Sequence, residues 1–491
     1  MNKPLRRIAI FCGLLVLALL VRDNWIQFVK SDELKTDPKN RRVAIARYAK
    51  PRGNIIVDGK SITGSTKNAS GDFKYKRTYK DGKMWAPVTG YASQAFGANQ
   101  LEALNDGILS GDDDRLFFNR TVDMLSGKSQ KGGNVVTTLN SAAQKAAYQQ
   151  LGDRKGAVVA LNPKTGAILA LANKPSYDPS TFAGNGKSDT DAWSSLQKSH
   201  NKDDPMLNRA LRATYPPGST FKLVTAAAAL ESGKYGLDSR TNSEDPYTLP
   251  QTHKPLHNEG HIPCKNASIR DALKVSCNTV FAKISATLGN AKMKEMAEKF
   301  GFNNKKMDTP VRAAPSLYPK DIPPQNAMAG IGQASNAATP LQMAMVASAI
   351  ANDGKLMKPY MVDQLRAPNL NVVQQYKPKE LSRPVSSENA QKLQQAMETV
   401  VNDPQGTGGN GKIPGYTVGG KTGTAQHGEN NSESPYAWFV SYAKDKDGSS
   451  PVAVATVIES STTKRSEVAG GKLAAPVSKA VMEAVLRGGK Q

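Results

Sequence analysis

Three short motifs carry the side chains of this chain that could do chemistry, and their order is more informative than any one of them. Ser219–Lys222 reads S-x-x-K, Ser276–Asn278 reads S-x-N, and Lys421–Gly423 reads K-T-G. Each motif alone is a weak signal, because S-x-x-K recurs at Ser195–Lys198 and K-T-G recurs at Lys164–Gly166. A serine becomes an effective nucleophile when a neighbouring base takes its proton. Serine and lysine side chains brought together by the fold would therefore support acyl transfer through a serine.

The residues around the first motif favour Ser219 as the nucleophile. A turn-forming stretch, Tyr215–Gly218, precedes it and an apolar run, Phe221–Leu230, follows it. Ser219 is thus predicted at a helix N-terminus, where backbone N–H groups stabilise a developing oxyanion. Lys222 lies one turn further on the same face, and it can act as a base if burial or a second cation, such as Lys421, lowers its pKa. A serine N-cap followed by a surface lysine is the alternative, which the two later motifs disfavour.

The second and third motifs could relay protons and bind a peptide. Ser276 and Asn278 are two residues apart, so in a loop or extended segment their side chains point the same way. Ser276 could then relay a proton and Asn278 could bind a substrate amide, although an ordinary polar turn is the alternative. Lys421–Gly423 is predicted to begin an edge strand. There Gly423 permits close approach of a ligand, and an extended peptide can pair alongside.

The N-terminus predicts the cellular location. Residues 8–21 form an unbroken apolar run, which covers roughly 21 Å as a helix against a membrane core about 30 Å thick. Cations precede the run, no small-residue cleavage site follows it, and Trp25 extends its apolar character. Since positive charge stays on the cytoplasmic side, we predict a cytoplasmic tail at 1–7 and a single-pass signal anchor in the cell membrane at 8–29, with the remainder extracytoplasmic. A cleaved signal peptide is the alternative and exports the same region.

Length and composition limit the fold and the partners. The chain of 491 residues is too long for one compact core, and its 39% hydrophobic and 22% charged residues are typical of a folded protein. Its net charge of +23 indicates an anionic partner. The charge is spread along the chain without a long run of Lys or Arg, so we expect no nucleic acid.

Element patterns predict two regions beyond the anchor. Residues 30–133 are predicted to form an N-terminal, partly β, non-catalytic domain, and residues 134–491 a catalytic domain. The second domain opens with a helix, for which Ser141 and Gln144 supply a capping box. Strand patterns at both of its ends, with helical patterns such as 269–288 between them, predict an α+β fold: one antiparallel sheet flanked by helices, with an all-helical lobe inserted.

The chain resembles a class B penicillin-binding protein, which is a single-anchor D,D-transpeptidase of peptidoglycan synthesis with the serine penicillin-binding/β-lactamase-like fold. The three motifs in order are the set of that superfamily. The short N-terminal domain is similar to that of the actinobacterial penicillin-binding protein A group. The blocks that carry the resemblance are Tyr215–Lys222, Gly419–Gln426, Gly330–Gln333 with Thr339–Ala344 and, in the N-terminal dimerisation-like domain, Arg52–Ile55 and Leu101-Glu102.

The resemblance implies a role for each motif residue. Ser219 would form the acyl-enzyme, Lys222 would be the base, and Ser276 would shuttle protons. Lys421 and Thr422 would hold the carboxylate of a peptide or β-lactam, and the oxyanion hole would be the N–H groups of Ser219 and Thr424. With Asn278 and Gly423, these are the predicted site residues.

The resemblance also implies ligands and partners. We expect stem peptides ending in D-Ala-D-Ala, β-lactam antibiotics, the membrane, and a membrane glycosyltransferase or a partner from the elongation or division machinery. It implies no cofactor. The resemblance further implies a role in cell shape or cell division, and that the protein is an antibiotic target.

Three other functions remain open from the sequence. A β-lactamase of the same fold needs a water activator, commonly a glutamate between the second and third motifs, and none stands out among Glu298, Glu380, Glu388 and Glu398. A non-turnover β-lactam sensor needs a cytoplasmic signalling region, and only seven residues precede Ile8. A scaffold without catalysis is disfavoured by the intact motifs.

The cysteines and histidines allow two structural interpretations. Cys264 and Cys277 lie 13 residues apart in a region predicted to face an oxidising compartment, so a disulfide beside Ser276 is expected, and two free thiols are the alternative. His253, His257, His261 and Cys264 have a spacing that could bind zinc. Prolines and a glycine interrupt the segment, so we predict a solvated loop and no metal.

Overall fold

The computed structural model describes residues 3–36, 40–68, 71–117, 131–198, 203–460 and 463–488, together with Thr121, Met124 and Ser126. Within these residues the helices are α1 Lys3–Phe28, α2 Ser31–Thr36, α3 Arg41–Arg47, α4 Gly82–Thr89, α5 Gln100–Leu104, α6 Asp106–Ser110, α7 Ser141–Leu151, α8 Lys187–Lys198, α9 Arg209–Arg212, α10 Lys222–Glu231, α11 Ile269–Lys274, α12 Asn278–Lys299, α13 Pro323–Ala329, α14 Pro340–Ala351, α15 Ser387–Asn402, α16 Gly470–Leu473 and α17 Ala475–Gly488. The strands are β1 Ile55–Val57, β2 Lys60–Ser61, β3 Thr63–Lys67, β4 Tyr75–Tyr79, β5 Ala92–Ser93, β6 Gly97–Ala98, β7 Asn134–Thr137, β8 Lys155–Leu161, β9 Ile168–Lys174, β10 Tyr247–Thr248, β11 Pro255–Leu256, β12 Leu356–Met357, β13 Val362–Arg366, β14 Val372–Gln375, β15 Glu380–Ser382, β16 Thr417–Ala425, β17 Tyr436–Lys444 and β18 Val452–Ser460.

A five-stranded antiparallel sheet in the order β16-β17-β18-β8-β9 forms the centre of the catalytic region. Its strands come from both ends of that region. Val158 and Ala160 of β8 point into a core shared with α7 and α17, whereas Ala157, Val159 and Leu161 point into a core shared with α14. This alternation follows from the two-residue period of a strand. The predicted α+β architecture is confirmed.

The helical lobe places the first two motifs side by side. Helix α10 is buried from Lys222 to Leu230 and packs against α12 and α15. The prediction of one helix over 269–288 is wrong, because α11 ends at Lys274 and α12 begins at Asn278. Between them Ser276 has φ +65°, a left-handed conformation that cannot continue a right-handed helix.

A second five-stranded sheet, in the order β14-β13-β7-β1-β2, connects the two regions. Val135 of β7 pairs with Ile55 in a parallel ladder on one side and with Leu365 in an antiparallel ladder on the other. The predicted boundary between 30–133 and 134–491 thus falls at the first residue of a strand with neighbours on both sides. The domain boundaries stay a prediction, and residues 127–130 at the proposed junction lie outside the described residues.

Helix α1 fits a membrane anchor. Its 26 residues extend about 39 Å at 1.5 Å per residue, more than the roughly 30 Å of a membrane core. Its mean hydropathy reaches 2.1 over an 18-residue window, and none of its residues is buried. In the described part of the chain it is the one helix long and apolar enough to cross a membrane.

A buried ionic cluster holds the N-terminal region together. The Glu102 carboxylate, which is fully buried, accepts from Arg52 Nε at 2.7 Å and from Arg77 Nε at 2.6 Å. Burial would raise the pKa of Glu102, but the two guanidiniums and their hydrogen bonds lower it. Arg77 also donates to the Gly53 carbonyl at 2.7 Å. Glu102 is therefore a structural centre and not the polar face of a surface helix.

We expect Glu102→Gln to destabilise the protein by about 3–5 kcal/mol, because it leaves the buried Arg77 guanidinium without its counter-charge and leaves Arg52 paired with Asp106 alone. Urea unfolding of the detergent-solubilised protein would measure the loss, with exposed Glu388→Gln as the matched control. Because the pKa of Glu102 is lowered in the folded state, its contribution is present above the unfolded-state pKa and is lost as the pH falls through the folded-state value. Equal stability of both variants would contradict the structural role.

Candidate active site

The three predicted motifs meet at a cleft of about 530 Å³. The lining residues include Ser219 from the first motif, Ser276 from the second and Thr422–Thr424 around the third. Lys222 and Lys421 are fully buried and reach the cleft through their contacts with Ser276. The structure thus brings the predicted site residues together although they are separated by about 200 positions in the sequence.

Ser219 lies in a 3-10 turn, Gly218–Phe221, and the α-helix begins one turn later at Lys222. The predicted helix N-terminus is therefore displaced by three residues. The turn is fixed by the Gly218 N–H, which donates to the Gly332 carbonyl at 2.9 Å. Gly332 must be a glycine, because its φ is +76° and a Cβ would lie 2.0 Å from the Gly218 carbonyl oxygen. Among the described residues, the half-buried Ser219 hydroxyl has no hydrogen-bond partner.

Lys222 is placed to accept a proton. Its Nζ donates to the Ser276 carbonyl and to Asn278 Oδ1, both at 2.7 Å, and lies 3.3 Å from Ser276 Oγ. Burial, followed by the positive charge of Lys421, holds the pKa of Lys222 well below its ordinary value, while the Glu259 carboxylate acts in the opposite direction. A buried lysine with a lowered pKa is neutral for more of the time and can act as a general base.

Ser276 lies between the two lysines. Its left-handed backbone is held by the next residue, because the Cys277 N–H donates to the Ala272 carbonyl at 2.8 Å and the Cys277 sulfur forms a disulfide with Cys264. Of the loop or extended segment expected at this motif, the structure has the loop, a turn between two helices. The tight reversal lets Ser276 Oγ accept from Lys421 Nζ at 2.8 Å, so one hydroxyl contacts both amines.

Lys421 lies in the middle of β16, the edge strand, and not at its start as predicted. Its Nζ also donates to the Thr422 carbonyl at 3.0 Å. Burial lowers the pKa of Lys421 to about 7, against an opposing influence of Glu259. A Cβ at Gly423 would lie 3.0 Å from Thr220 Cγ2, so this glycine lets the turn that carries Ser219 pack closely against the strand.

Sequence reasoning missed most of the cleft lining outside the motifs, including the polar residues Thr407, Glu259 and Lys472. Thr407 Oγ1 lies 2.7 Å from Thr422 Oγ1, so it fixes the hydroxyl of the third motif. The only sequence signal for Thr407 is the glycine-rich stretch 405–409. Glu259 and Lys472 lie in segments without periodicity, and their position depends on contacts with distant parts of the chain.

The histidines take no part in the described cleft lining. His427 stacks on Tyr436 with ring centroids 3.8 Å apart, and its Nε2 pairs with the Ser434 carbonyl at 2.7 Å. The alternative zinc site loses one ligand, because the Cys264 sulfur is bonded to Cys277. Within the described ranges, no three His, Cys, Asp or Glu side chains converge as metal ligands.

The arrangement can carry out proton-coupled acyl transfer. The Ser276 hydroxyl can donate to a neutral amine and accept from an ammonium, so the two lysines can exchange one proton through it. Ser219 and Thr424, whose backbone N–H groups are the expected oxyanion hole, both line this cleft.

Comparison with known families supports this interpretation. The model described as the penicillin binding protein transpeptidase domain matches residues 156–483, and the model of the penicillin binding protein A dimerisation domain matches residues 52–135. The chain is 38% identical over 501 residues to the peptidoglycan D,D-transpeptidase PbpA of Mycolicibacterium smegmatis, with 100% of both chains covered. It is 38% identical to PbpA of Mycobacterium tuberculosis over 99% of this chain and 100% of that one.

Solved structures of a penicillin-binding protein are similar to this chain over most of its length. Penicillin-binding protein A of M. tuberculosis as its ceftriaxone acyl-enzyme complex is 37% identical, with a TM-score of 0.83 over 90% of this chain and 100% of that one. Its penicillin G acyl-enzyme complex gives a TM-score of 0.81 over 89% and 100% of the two chains, also at 37% identity.

Proposed function

The chain belongs to the class B penicillin-binding proteins, as a peptidoglycan D,D-transpeptidase, and we propose that it works through an acyl-enzyme on Ser219. The observation that carries this assignment of residues is the Ser276 hydroxyl, 2.8 Å from Lys421 Nζ and 3.3 Å from Lys222 Nζ. It supplies a proton path in the cleft that Ser219 lines, and the Ser219 hydroxyl itself has no hydrogen-bond partner among the described residues.

Acylation follows from the positions of these groups. Ser219 Oγ attacks the carbonyl carbon between the last two D-Ala residues while its proton passes to neutral Lys222. The N–H groups of Ser219 and Thr424 stabilise the oxyanion. The proton then moves through Ser276 to the departing amide nitrogen, the C–N bond breaks, and D-Ala leaves. In a β-lactam the nitrogen stays tethered to the acyl group.

Deacylation reverses the roles. The amine of a second stem peptide attacks the ester carbon, loses a proton to Lys222, and forms the cross-link. Ser219 Oγ then takes a proton as its C–O bond breaks. Asn278, which accepts from Lys222 Nζ, keeps the lysine oriented, and we assign it the binding of a substrate amide.

We assign recognition of the terminal carboxylate to Lys421 and Thr422. Thr422 lines the cleft, and its hydroxyl is oriented by Thr407. A bound carboxylate favours the ammonium form of Lys421. Because the pKa of the unoccupied lysine is about 7, the cation is present below that pH and is lost above it. Binding of carboxylate donors should therefore weaken as the pH rises past 7.

For Lys421→Ala we expect acylation by a penicillin to fall about ten- to hundredfold more than acylation by its methyl ester, the range of a lost hydrogen bond to a charged group. Lys421→Arg keeps the charge but not the compact ammonium, so it should retain part of the activity. Acylation rates of both donors on wild type and both variants would decide this. Equal losses for the two donors in Lys421→Ala would reject carboxylate recognition and leave only a proton-transfer role.

The lifetime of the acyl-enzyme separates a transpeptidase from a β-lactamase. Of the glutamates considered as water activators, none lines the cleft, and Glu398 instead accepts from Lys444 Nζ at 2.7 Å. We expect a fluorescent penicillin to stay bound through the assay, while a D-alanyl thioester is turned over faster when an amine acceptor is added. Loss of the label within seconds would identify a β-lactamase, and stable labelling without thioester turnover would identify a sensor.

We propose that α1 anchors the protein as a single-pass cell-membrane protein with the catalytic region outside the cytoplasm, where peptidoglycan lies. The cations before the apolar run support this orientation. A membrane glycosyltransferase or a component of the elongation or division machinery would supply the glycan strands that carry the stem peptides.

A further inference from the structure

Glu259 is a carboxylate at the cleft that has no partner among the residues described by the structure. It is the one acidic side chain among the described lining residues, it is exposed, and its carboxylate forms no hydrogen bond or ion pair with any described residue. The other charged lining residue is Lys472. The chain has 65 Lys and Arg against 42 Asp and Glu. A cleft carboxylate that pairs with none of the described cations can therefore interact with a cationic ligand.

The loop that carries Glu259 is fastened directly to the second motif. The preceding residue, Asn258, is buried and its Oδ1 accepts from the backbone N–H groups of Asn278 at 2.7 Å and Thr279 at 3.1 Å. At the other end of the loop, Cys264 is joined to Cys277. Glu259 is thus held in a fixed relation to Ser276 and to the lysines behind it.

The second substrate poses an electrostatic problem for this cleft. An amine acceptor is an ammonium ion in neutral solution, and it must enter a cleft that holds Lys472 at its surface and Lys222 and Lys421 beneath. The attacking nitrogen also becomes positively charged as it bonds to the ester carbon. Both situations favour a nearby carboxylate.

We propose that Glu259 is the specificity-determining residue for the cationic amine acceptor: it attracts the ammonium and stabilises the positive charge on the attacking nitrogen. This inference rests on the proposed acyl-enzyme at Ser219. Glu259 opposes the burial that lowers the pKa of Lys222 and of Lys421, as expected for a carboxylate whose charge acts at the reacting groups.

The acceptor amine replaces Ser219 on the acyl group. The ammonium first loses one proton to water, and the neutral nitrogen then attacks the acyl-Ser219 ester carbon, so that a C–N bond forms and the nitrogen becomes positive. One of its protons passes to Lys222. The C–O bond to Ser219 breaks, and Ser219 Oγ recovers that proton. Glu259 acts throughout as a fixed negative charge and not as the base.

The test is a partition experiment on full-length, detergent-solubilised protein. A D-alanyl thioester forms the acyl-enzyme, and Nα-acetyl-lysine amide, whose side-chain amine is its only nucleophile, competes with water for it. For Glu259→Gln we expect the ratio of aminolysis to hydrolysis to fall about fivefold at low salt, in line with an exposed charge pair. The difference from wild type should shrink as salt is added. Glu429→Gln, which removes the same charge outside the lining residues, should leave the ratio unchanged.

Other results of the partition experiment would contradict either the role of Glu259 or the proposed function itself. A fall in hydrolysis with aminolysis retained would overturn the proposal and make Glu259 a water activator. A partition ratio that is unchanged, or a change that salt does not affect, would also overturn it. Failure of the thioester to acylate even the wild type would count against the proposed function itself, whereas penicillin labelling of Glu259→Gln checks that the variant is folded.

Discussion

Ser219→Ala should lose the D-alanyl thioester turnover of the wild type, by up to about 10⁶-fold, the scale seen when a serine nucleophile is removed from an enzyme. The variant keeps the backbone of the 3-10 turn, and removing a hydroxyl that has no hydrogen-bond partner among the described residues leaves no buried group unsatisfied. We therefore expect the loss without a change in stability. Thioester turnover and thermal unfolding of the same preparations would measure the two quantities.

The matched control is Ser195→Ala. Ser195 is also followed by a lysine three residues later, but its hydroxyl donates to the Asp191 carbonyl within an exposed helix. This substitution should leave turnover at the wild-type rate. If Ser195→Ala lost turnover and Ser219→Ala kept it, the nucleophile would lie outside the cleft.

Lys222→Met should slow acylation about 10²- to 10⁴-fold, the usual contribution of a general base. Methionine retains most of the volume of the buried side chain, so the loss reports the amine and not a cavity. Penicillin acylation rates from stopped-flow fluorescence would measure it. A loss of less than about tenfold would exclude Lys222 as the principal base.

The pH profile adds a test of the same residue. Burial and Lys421 hold the pKa of Lys222 well below its ordinary value, and the base is the neutral form. Acylation of the wild type by a penicillin methyl ester, which lacks the carboxylate assigned to Lys421, should therefore rise with pH through that lowered pKa and reach its plateau below the ordinary range of lysine. In Lys222→Met this limb should disappear. A wild-type limb near the ordinary lysine pKa would show that the amine is not perturbed.

Much of the frame around the cleft could be predicted from the sequence. The apolar runs at both ends of the catalytic region are typical of strands buried on both faces, and the central sheet confirms them. The apolar run after Ser219 likewise forms α10. These features depend on local runs of apolar residues, which a single sequence carries.

Features set by distant contacts could not be predicted. The capping box expected at Ser141 and Gln144 is wrong, because Asn140 is the N-cap and the Gln144 side chain is buried against the backbone of Leu171. The left-handed backbone of Ser276 likewise depends on a bond to Ala272 and on a disulfide partner 13 residues away. The cysteine spacing predicts the disulfide, which is confirmed, but no local pattern predicts the left-handed turn that it holds or the burial of Gln144.

The position of cleft residues outside the motifs depends on the same kind of contact. The Thr407 N–H donates to the Lys274 carbonyl at 3.3 Å, which ties its loop to the end of α11. Glu259 follows Asn258, whose amide caps α12. Both residues lie in loops without periodicity, so their approach to the cleft emerges only when the fold is complete.

Peptide mapping of the penicillin-treated wild-type protein tests most directly whether Ser219 carries the acyl group. After proteolysis, tandem mass spectrometry would locate the added mass of one intact penicillin. We expect the adduct on Ser219, at close to one per chain. An adduct on Ser276, Ser195 or any other side chain, with Ser219 unmodified, would contradict it.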